Sequence, residues 1–260
     1  MQKLEITTGT GFFSCSSDAL LYLVQYSSMH GRIPESVDRS KQYAYHKNDA
    51  MDNLIPYYFE ELPESFDVPE NVTINSDGMY SQFCDYRTIQ FDKVQPYLKK
   101  YFMPSAIVRN RVNAFVNKYE IAFGNTCAVF YRGNDKSRET QIASYSEFIN
   151  QAKDIKSQNP NIIFLVQTDE AEFLDAFLAV FPNSKYISEI PRISKQDTWV
   201  TEKIPYSDRP AFGVDFFSSV LIIAKCKYLL THSGNCGLWS VLYRGSFNGV
   251  RQWQNDHWAI

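Results

Sequence analysis

The stretch TCAVFYRGNDK, residues 126–136, joins an apolar run typical of a buried strand to a charged end. The charged end contains Arg132, Gly133, Asn134, Asp135 and Lys136. A charge at the end of a buried strand is costly unless it has a partner or a task, and a guanidinium can bind a diphosphate through two parallel hydrogen bonds. The stretch therefore indicates either an anion-binding strand end or a surface ion pair between Arg132 and Asp135.

Further strand and helix patterns alternate on the C-terminal side of this stretch. Residues 161–167 (NIIFLVQ) and 228–231 (YLLT) are continuous apolar runs, as expected of parallel strands buried on both faces. Helical patterns cover residues 145–158, 172–181, 215–224 and 237–245. This alternation predicts an α/β fold with a parallel, doubly wound sheet. Ligands of such sheets bind at the carboxyl ends of the strands.

Two more polar clusters follow predicted strands and should meet the first cluster in one crevice. The second cluster is Thr168 and Asp169, and the third is His232, Ser233, Gly234 and Asn235. A helix that begins after the third cluster would direct backbone N–H groups and the positive end of its dipole at a phosphate. The alternative for both clusters is ordinary helix capping, which Thr, Asp, Ser and Asn also favour.

The N-terminal half has a weaker pattern. A short strand at residues 4–7 leads through a glycine turn, with Gly11 and Phe12 at its end, into a helix predicted for residues 17–28. That turn could face donor phosphates from the opposite half, and Asp18 would lie near its mouth. Residues 43–90 have poor periodicity and indicate irregular structure. Helices are predicted at residues 91–101 and 105–123. We therefore expect an acceptor-side domain at residues 1–120, a nucleotide-binding domain at 121–250 and a tail at 251–260.

Composition excludes several classes of protein. The chain has 260 residues, 26 of them basic and 29 acidic, and this balance disfavours a general nucleic-acid binder. The five cysteines contain no Cys-x-x-Cys pair, and no apolar run is long enough to span a bilayer, so we expect a soluble, cytoplasmic protein with free thiols. No Asp-x-Asp motif is present, and the spacing of His232, Cys236 and Cys226 is not that of a metal site. We therefore expect no metal.

The three clusters together resemble a known family. The order strand-Arg-x-x-Asp-Lys, strand-Thr-Asp and strand-Thr-x-Ser-x-Asn is similar to α-1,6-fucosyltransferases and nodulation fucosyltransferases, and more distantly to protein O-fucosyltransferases. Residues 11–15 (GFFSC) and 82–86 (QFCDY) resemble small glycosyltransferases of large DNA viruses and some bacteria. For a viral protein, the expected compartment would be the host cytoplasm.

The resemblance implies a GT-B-like fold, in which two Rossmann-type halves face a central cleft. It also implies an inverting, metal-independent transfer of fucose from GDP-fucose to a glycan hydroxyl, with the nucleotide sugar as cosubstrate and no cofactor. By this resemblance Arg132 grips the donor β-phosphate, Asp215 reads the guanine from a helix that also carries Ser218, and Ser233 contacts the donor. The chain departs from the family pattern at Gly133, where a second arginine is common, and at Phe130, where a histidine is common.

The acceptor hydroxyl requires a general base, for which Asp18 and Asp85 are the candidates. Two other functions remain open at this stage. One is a glycosyltransferase of the same fold with a UDP- or dTDP-sugar donor, and the other is a non-catalytic protein that binds glycans or nucleotide sugars. The acceptor, the linkage and the oligomeric state are not specified by these motifs.

Overall fold

A computed structural model describes residues 3–48, 53–63, 65–70, 72, 81–195 and 199–260. It is an α/β protein built around one mostly parallel sheet, as the alternating pattern predicts. The strands of this sheet are β5 (Thr126–Tyr131), β6 (Ile163–Thr168), β7 (Tyr228–His232), β8 (Val250–Gln254) and β9 (His257–Ala259). They lie in the order β6-β5-β7-β8-β9, and all are parallel except β9.

The last two strands correct the expected tail at residues 251–260. β8 pairs with β7 in parallel, and β9 folds back on β8 in antiparallel register. Trp253 is only 5% exposed and its ring packs against Trp258. The run VRQWQ of β8 does not have the apolar pattern of a buried strand. Its polar residue Gln252 is nevertheless fully buried, and its amide is satisfied by hydrogen bonds to residues distant in sequence.

Helices lie on both faces of this sheet and fill the N-terminal half. Their bounds are α1 (Phe12–His30), α2 (Ile55–Tyr58), α3 (Phe91–Tyr101), α4 (Ala106–Lys118), α5 (Tyr145–Gln158), α6 (Ala171–Val180), α7 (Arg209–Lys225) and α8 (Asn235–Arg244). The bounds predicted for α3 and α5 are confirmed, and Ser144 caps α5 in a capping box with Glu147. Nowhere in the described ranges is there a helix with the length and apolar character needed to cross a membrane.

Helix α1 begins five residues before the predicted start at residue 17. Its first turn is closed by Ser14, whose hydroxyl accepts hydrogen bonds from the backbone N–H groups of Gly11 (2.8 Å) and Thr10 (3.1 Å). Ser16 therefore lies inside the helix, where its hydroxyl contacts that of Tyr43. The early start places the N-terminus of α1, rather than its second turn, beside the sheet.

The N-terminal half has its own short parallel pair, β1 (Lys3–Glu5) and β2 (Ser36–Asp38). A second pair, β3 (Phe59–Glu60) and β4 (Met103–Pro104), is antiparallel. The described parts of residues 43–90 are mostly irregular with short helical turns, as predicted, whereas residues 49–52, 64, 71 and 73–80 lie outside the described chain.

The hydrophobic core lies in two layers, one on each face of the main sheet. The first layer joins α1, α3 and α4 to α7, α8 and one face of β5–β8, and the second lies between the other face and helices α5 and α6. The first layer contains side chains from both sides of residue 120, so the boundary at that residue stays a prediction.

A cleft at the carboxyl ends of the main strands

The candidate site is a cleft of about 590 Å³ at the carboxyl ends of β5, β6 and β7. This is within the usual size range of small-molecule sites. Many of the predicted site residues line it, namely Gly11, Phe12, Arg132, Asp135, Lys136, Thr168, Asp169, His232, Ser233, Gly234 and Asn235. The three polar clusters thus meet at one end of a single sheet, as the strand order requires.

Arg132 is the centre of the charged side of the cleft. Its Nε donates to Asp169 (2.9 Å), its Nη2 to Asp135 (2.8 Å) and its Nη1 to the Cys236 thiol (3.0 Å). The side chain is 23% exposed, which leaves part of the guanidinium facing the cleft. Burial alone would raise the pKa of Asp135, but Arg132 outweighs it and holds that pKa below its ordinary value. Arg132 is therefore held in one orientation by two carboxylates and a thiol.

Asp169 connects the first two clusters. Its carboxylate accepts from Arg132 and also from the backbone N–H of Gly133 (3.0 Å), and its backbone carbonyl accepts from Asn134 (2.8 Å). Asn134 is buried and does not line the cleft, so it holds the loop after β5 instead of contacting a ligand. Gly133 has no room for a side chain, because a Cβ there would lie 2.3 Å from the Glu170 carboxylate. That carboxylate occupies the space that a side chain at position 133 would need.

Lys136 brings a second cation to the cleft. Its Nζ donates to Glu139 (2.5 Å) and to the Gln82 side chain (2.9 Å), and it lies 5.4 Å from the centre of the Phe83 ring. Gly234 lies against this lysine, since a Cβ there would be 2.6 Å from the lysine Cε. Gly234 also has a φ of +144°, which a residue with a side chain rarely adopts.

The turn before α8 is held from behind by two other segments. The Ser233 hydroxyl donates to the Trp253 carbonyl (2.9 Å) and accepts from Gln252 (2.8 Å), so this hydroxyl is already used within the protein. The Gly234 N–H donates to the Gln82 carbonyl (2.7 Å), and the Tyr86 hydroxyl donates to the Gly234 carbonyl (2.9 Å). These bonds fix the turn so that the N-terminus of α8 borders the cleft.

Two helix N-termini meet at this cleft. The Ser17 hydroxyl of α1 donates to the Asn235 side chain of α8 (2.8 Å) and accepts from the Trp239 indole N–H (2.9 Å). Residues 10–14, at the start of α1, and 233–237, at the start of α8, all line the cleft. Because each N-terminus carries a partial positive charge, together they favour an anionic ligand.

His232 lies below the charged residues and stays neutral. Its Nε2 accepts from the backbone N–H of Ala143 (3.1 Å), and its Nδ1 faces the backbone N–H of Arg132 (3.4 Å). Burial, with the charges of Arg132 and Lys136, lowers the pKa of His232 to about 3. The imidazole therefore supports the main chain at neutral pH and is not a proton donor to a ligand.

The structure does not bring either proposed general base to the cleft. Asp18 is half-buried on α1, and burial raises its pKa, but it is not among the lining residues. Asp85 caps a short helical turn and makes an ion pair with Arg87 (2.7 Å), which lowers its pKa. Neither carboxylate is therefore in a position to reach an acceptor bound beside Arg132.

Asp215 and Ser218 also lie away from the cleft, on the side of α7 that faces α4. The Asp215 carboxylate is bound by Arg111 through two hydrogen bonds (2.5 and 3.0 Å). The Ser218 hydroxyl donates to the Val108 carbonyl (3.3 Å) and is fully buried. The expected reading of a base by Asp215 has no support in this arrangement, because α7 turns that residue toward another helix.

Sequence reasoning missed the aromatic wall of the cleft and one amide on its floor. The wall contains Tyr45, His46, Trp199, Phe212 and Phe216, and the amide is that of Gln167. Tyr45 and Trp199 are each 50% exposed. No local pattern identifies these residues, since the wall comes from segments far apart in sequence. The phenylalanines of α7 resemble ordinary core positions.

Within the described ranges, no group of three or more His, Cys, Asp or Glu side chains is arranged so that it could hold a metal ion. Cys226 donates weakly to the Ile222 carbonyl, and Cys236 contacts Arg132. The expected independence from metal stays a prediction.

No protein family model and no curated protein sequence matches this chain. Solved structures do match it along almost its whole length. The nodulation α-1,6-fucosyltransferase NodZ, in a structure co-crystallised with GDP, is 13% identical with a TM-score of 0.61, covering 99% of this chain and 97% of that one. NodZ from Bradyrhizobium gives 13% identity and a TM-score of 0.60, again over 99% and 97%. A NodZ structure soaked with GDP-fucose gives 12% and 0.58, over 99% and 98%.

The chain therefore has a GT-B-like α/β fold, the class that the motifs indicated. Within that class, its fold is that of the fucosyltransferase NodZ. Identity at this level shows the fold alone.

Proposed function

We propose that the protein is a glycosyltransferase that transfers a sugar from a nucleoside-diphosphate sugar to a glycan hydroxyl. The donor we favour is GDP-fucose, with inversion at the sugar and without a metal ion. The observation that carries this proposal is that Arg132 and the start of α8 border the same open cleft. Both are groups that bind phosphate.

The departing diphosphate would be stabilised by donors that are already in place. Arg132 has five N–H groups, and three of them are used by Asp169, Asp135 and Cys236. The other two have no partner among the described residues and remain for phosphate oxygens. Lys136 and the N-termini of α1 and α8 add positive potential. Such preorganised donors stabilise developing negative charge without reorganising during the reaction.

The positions of the N–H groups matter more for binding an anion than the net charge of the site does. Arg132 and Lys136 face three carboxylates, those of Asp135, Asp169 and Glu139, which leaves the group with a net charge of -1. An anion is therefore not attracted by a simple basic patch. It would be bound by directed N–H groups, so the site favours a ligand of defined shape such as a diphosphate.

The test is a donor screen followed by one substitution. Thermal shift with GDP-, UDP- and dTDP-sugars identifies the donor, because a ligand at about 100 times its Kd stabilises the folded state by about 2.7 kcal/mol. Arg132→Lys keeps the positive charge but removes the planar guanidinium group, whose three nitrogens each bind a partner. We expect it to reduce transfer by about 100- to 1000-fold, the effect of losing one preorganised donor.

Arg87→Lys is the matched control, since Arg87 also pairs with an aspartate but does not line the cleft. It should transfer sugar like the wild type. The proposal is refuted if no nucleotide sugar raises the melting temperature, or if Arg132→Lys retains near-wild-type transfer.

A second function is favoured by the position of Asp18 and Asp85 outside the cleft. A protein that binds a nucleotide sugar without transferring it needs no general base. Incubation with a donor and a mixture of glycan acceptors separates the two functions. Release of free nucleoside diphosphate together with a new glycosidic product supports the transferase, whereas donor binding without either product supports the binding protein.

A further inference from the structure

Two glutamines lie in one row across the main sheet, and they differ in the hydrogen bonds that they make with the described residues. The register places Gln167 of β6 beside Phe130 of β5, Phe130 beside Thr231 of β7, and Thr231 beside Gln252 of β8. Neighbours in register on parallel strands point to the same face, so this row lies on one face of the sheet. Gln167 and Gln252 are 4% and 0% exposed.

Gln252 has the contacts expected of a structural buried amide. Its Oε1 accepts from the Tyr86 backbone N–H (2.9 Å), and its Nε2 donates to the Cys84 carbonyl (2.8 Å) and to the Ser233 hydroxyl (2.8 Å). These bonds attach the segment at residues 81–89 to the sheet. The amide is satisfied entirely within the protein, as buried polar groups normally are.

Gln167 lies in the same row but lines the cleft. Its Oε1 is sealed from solvent and makes no hydrogen bond within the described residues. Leaving a buried polar group unsatisfied costs about 1–3 kcal/mol. A leucine or methionine would avoid this cost, because the neighbouring side chain in the row is Phe130. The amide is therefore better explained by a ligand than by packing.

The surroundings of Gln167 indicate which part of a ligand would reach it. Its neighbour in register is Phe130, whose ring also lines the cleft and offers no hydrogen-bonding group. Arg132 is two residues further along β5 than Phe130, which separates the amide from the charged cluster by about 7 Å along the strand. A phenylalanine ring beside one amide suits a planar heterocycle, whereas a sugar needs several polar partners for its hydroxyls.

We propose that Gln167 binds the base of the donor nucleotide. Its side-chain amide carries one acceptor and one donor group, and the edge of a base such as guanine or uracil carries both an N–H and a C=O, so either end of the amide finds a partner there. Rotation about the last side-chain torsion is easy, because this torsion is broad. Such a rotation exchanges the positions of Oε1 and Nε2, so the group that faces the base can be the acceptor or the donor. This inference rests on the proposed use of a nucleoside-diphosphate donor.

The experiment separates base binding from phosphate binding. Affinities of the full chain for GDP, UDP and inorganic pyrophosphate are measured by calorimetry for the wild type, Gln167→Met and Gln252→Met. Methionine keeps the unbranched shape of glutamine and removes the amide. Loss of one hydrogen bond should weaken binding of the preferred nucleoside diphosphate by roughly 2- to 10-fold. Pyrophosphate, which has no base, should bind Gln167→Met as it binds the wild type.

The outcomes distinguish this inference from the proposed function. If the wild type binds neither the diphosphates nor pyrophosphate, the proposed function fails. If the wild type binds them and Gln167→Met binds the nucleoside diphosphate equally well, the inference alone fails. Equal weakening of pyrophosphate and nucleotide would also overturn it, because the substitution would then act on the whole cleft.

Stability supplies the second readout. Gln252→Met should lower the melting temperature, since it removes three hydrogen bonds, while Gln167→Met should leave it unchanged or raise it. A clear loss of stability in Gln167→Met would mean that the amide has a structural role, contrary to the inference. Gln167→Asn, which shortens the side chain by one methylene and keeps the amide, should weaken the nucleotide as well.

Discussion

Gly133→Ala tests the packing that holds the charged side of the cleft. Gly133 lies between Arg132 and the loop that follows β5, and its N–H donates to Asp169. The substitution adds one methyl group. A Cβ on this backbone would lie 2.3 Å from both Cδ and Oε1 of Glu170, where ordinary contacts are 3.4–4 Å. The backbone φ at Gly133 is not in the left-handed region, so steric overlap is the only penalty.

The expected cost follows from how little Glu170 can move. It must retreat by about 1.1 Å, yet it is fully buried and its Oε2 accepts from the Tyr145 hydroxyl (2.6 Å). Overpacking of this kind costs about 1–3 kcal/mol. Loss of the Tyr145 hydrogen bond would add about 1 kcal/mol. We therefore expect Gly133→Ala to lower the free energy of unfolding by about 2–4 kcal/mol.

Urea unfolding of four proteins measures this effect as a double-mutant cycle: wild type, Gly133→Ala, Glu170→Ala and the double variant. In the Glu170→Ala background the added methyl group has space, so it should cost less than about 0.5 kcal/mol. Gly124→Ala is the control, because Gly124 is exposed and a Cβ there meets nothing within 4 Å.

Two results would refute this reasoning. One is a Gly133→Ala variant as stable as Gly124→Ala, which would mean that Glu170 yields without cost. The other is an additive cycle, in which the methyl group costs as much without the Glu170 carboxylate as with it.

Three further changes, a helix-cap substitution, a drop in pH and a C-terminal deletion, should lower the stability of the fold. Ser144→Ala removes the capping box of α5 and should cost about 1 kcal/mol in urea unfolding, while Ser157→Ala near the end of the same helix should cost much less. Burial lowers the pKa of His46 to about 4 and that of His232 to about 3, from 6.5, so the folded chain keeps both neutral where the unfolded chain binds protons. Their contribution to stability is complete above pH 6.5 and falls by about 1.4 kcal/mol per pH unit for each histidine as the pH drops toward 4. A urea midpoint that is constant between pH 6.5 and 4.5 would contradict this. Deletion of residues 255–260 removes β9 and uncovers the edge of β8, so the melting temperature should fall by about 4 °C or more, equivalent to about 2 kcal/mol; an unchanged value would show that β9 contributes nothing.

Local sequence patterns were sufficient for the central elements of the fold. β5, β6 and β7 are apolar runs, and their composition indicates burial on both faces without any knowledge of partners. The ends of α5 are marked by its cap and its periodicity. Since parallel strands share one carboxyl edge, Arg132, Asp169 and the turn at residues 233–235 could be expected to meet.

Local patterns did not locate a residue where the same short sequence is compatible with more than one structural environment. Asp215 is an acidic residue on a mostly apolar helix, and only its contact with Arg111 decides that it faces α4. Asp18 follows serines that resemble a helix cap, but Ser14 and Gly11 start the helix earlier. The polar residues of β8 conceal a strand, because Gln252 is buried by partners at residues 84, 86 and 233.

By itself, the sequence determined an α/β chain with a parallel sheet and a cluster of charged and polar groups at the ends of its strands. Those features depend on periodicity and on the residue type at a strand end, which are local. Only the tertiary structure decided which side chains share the cleft and which of them already make hydrogen bonds within the protein. The contacts that decide this join residues far apart along the chain, such as Arg132 with Cys236, which are 104 positions apart. A buried amide such as Gln167 differs from one such as Gln252 only through its surroundings, because hydrogen bonding depends on distances that folding creates.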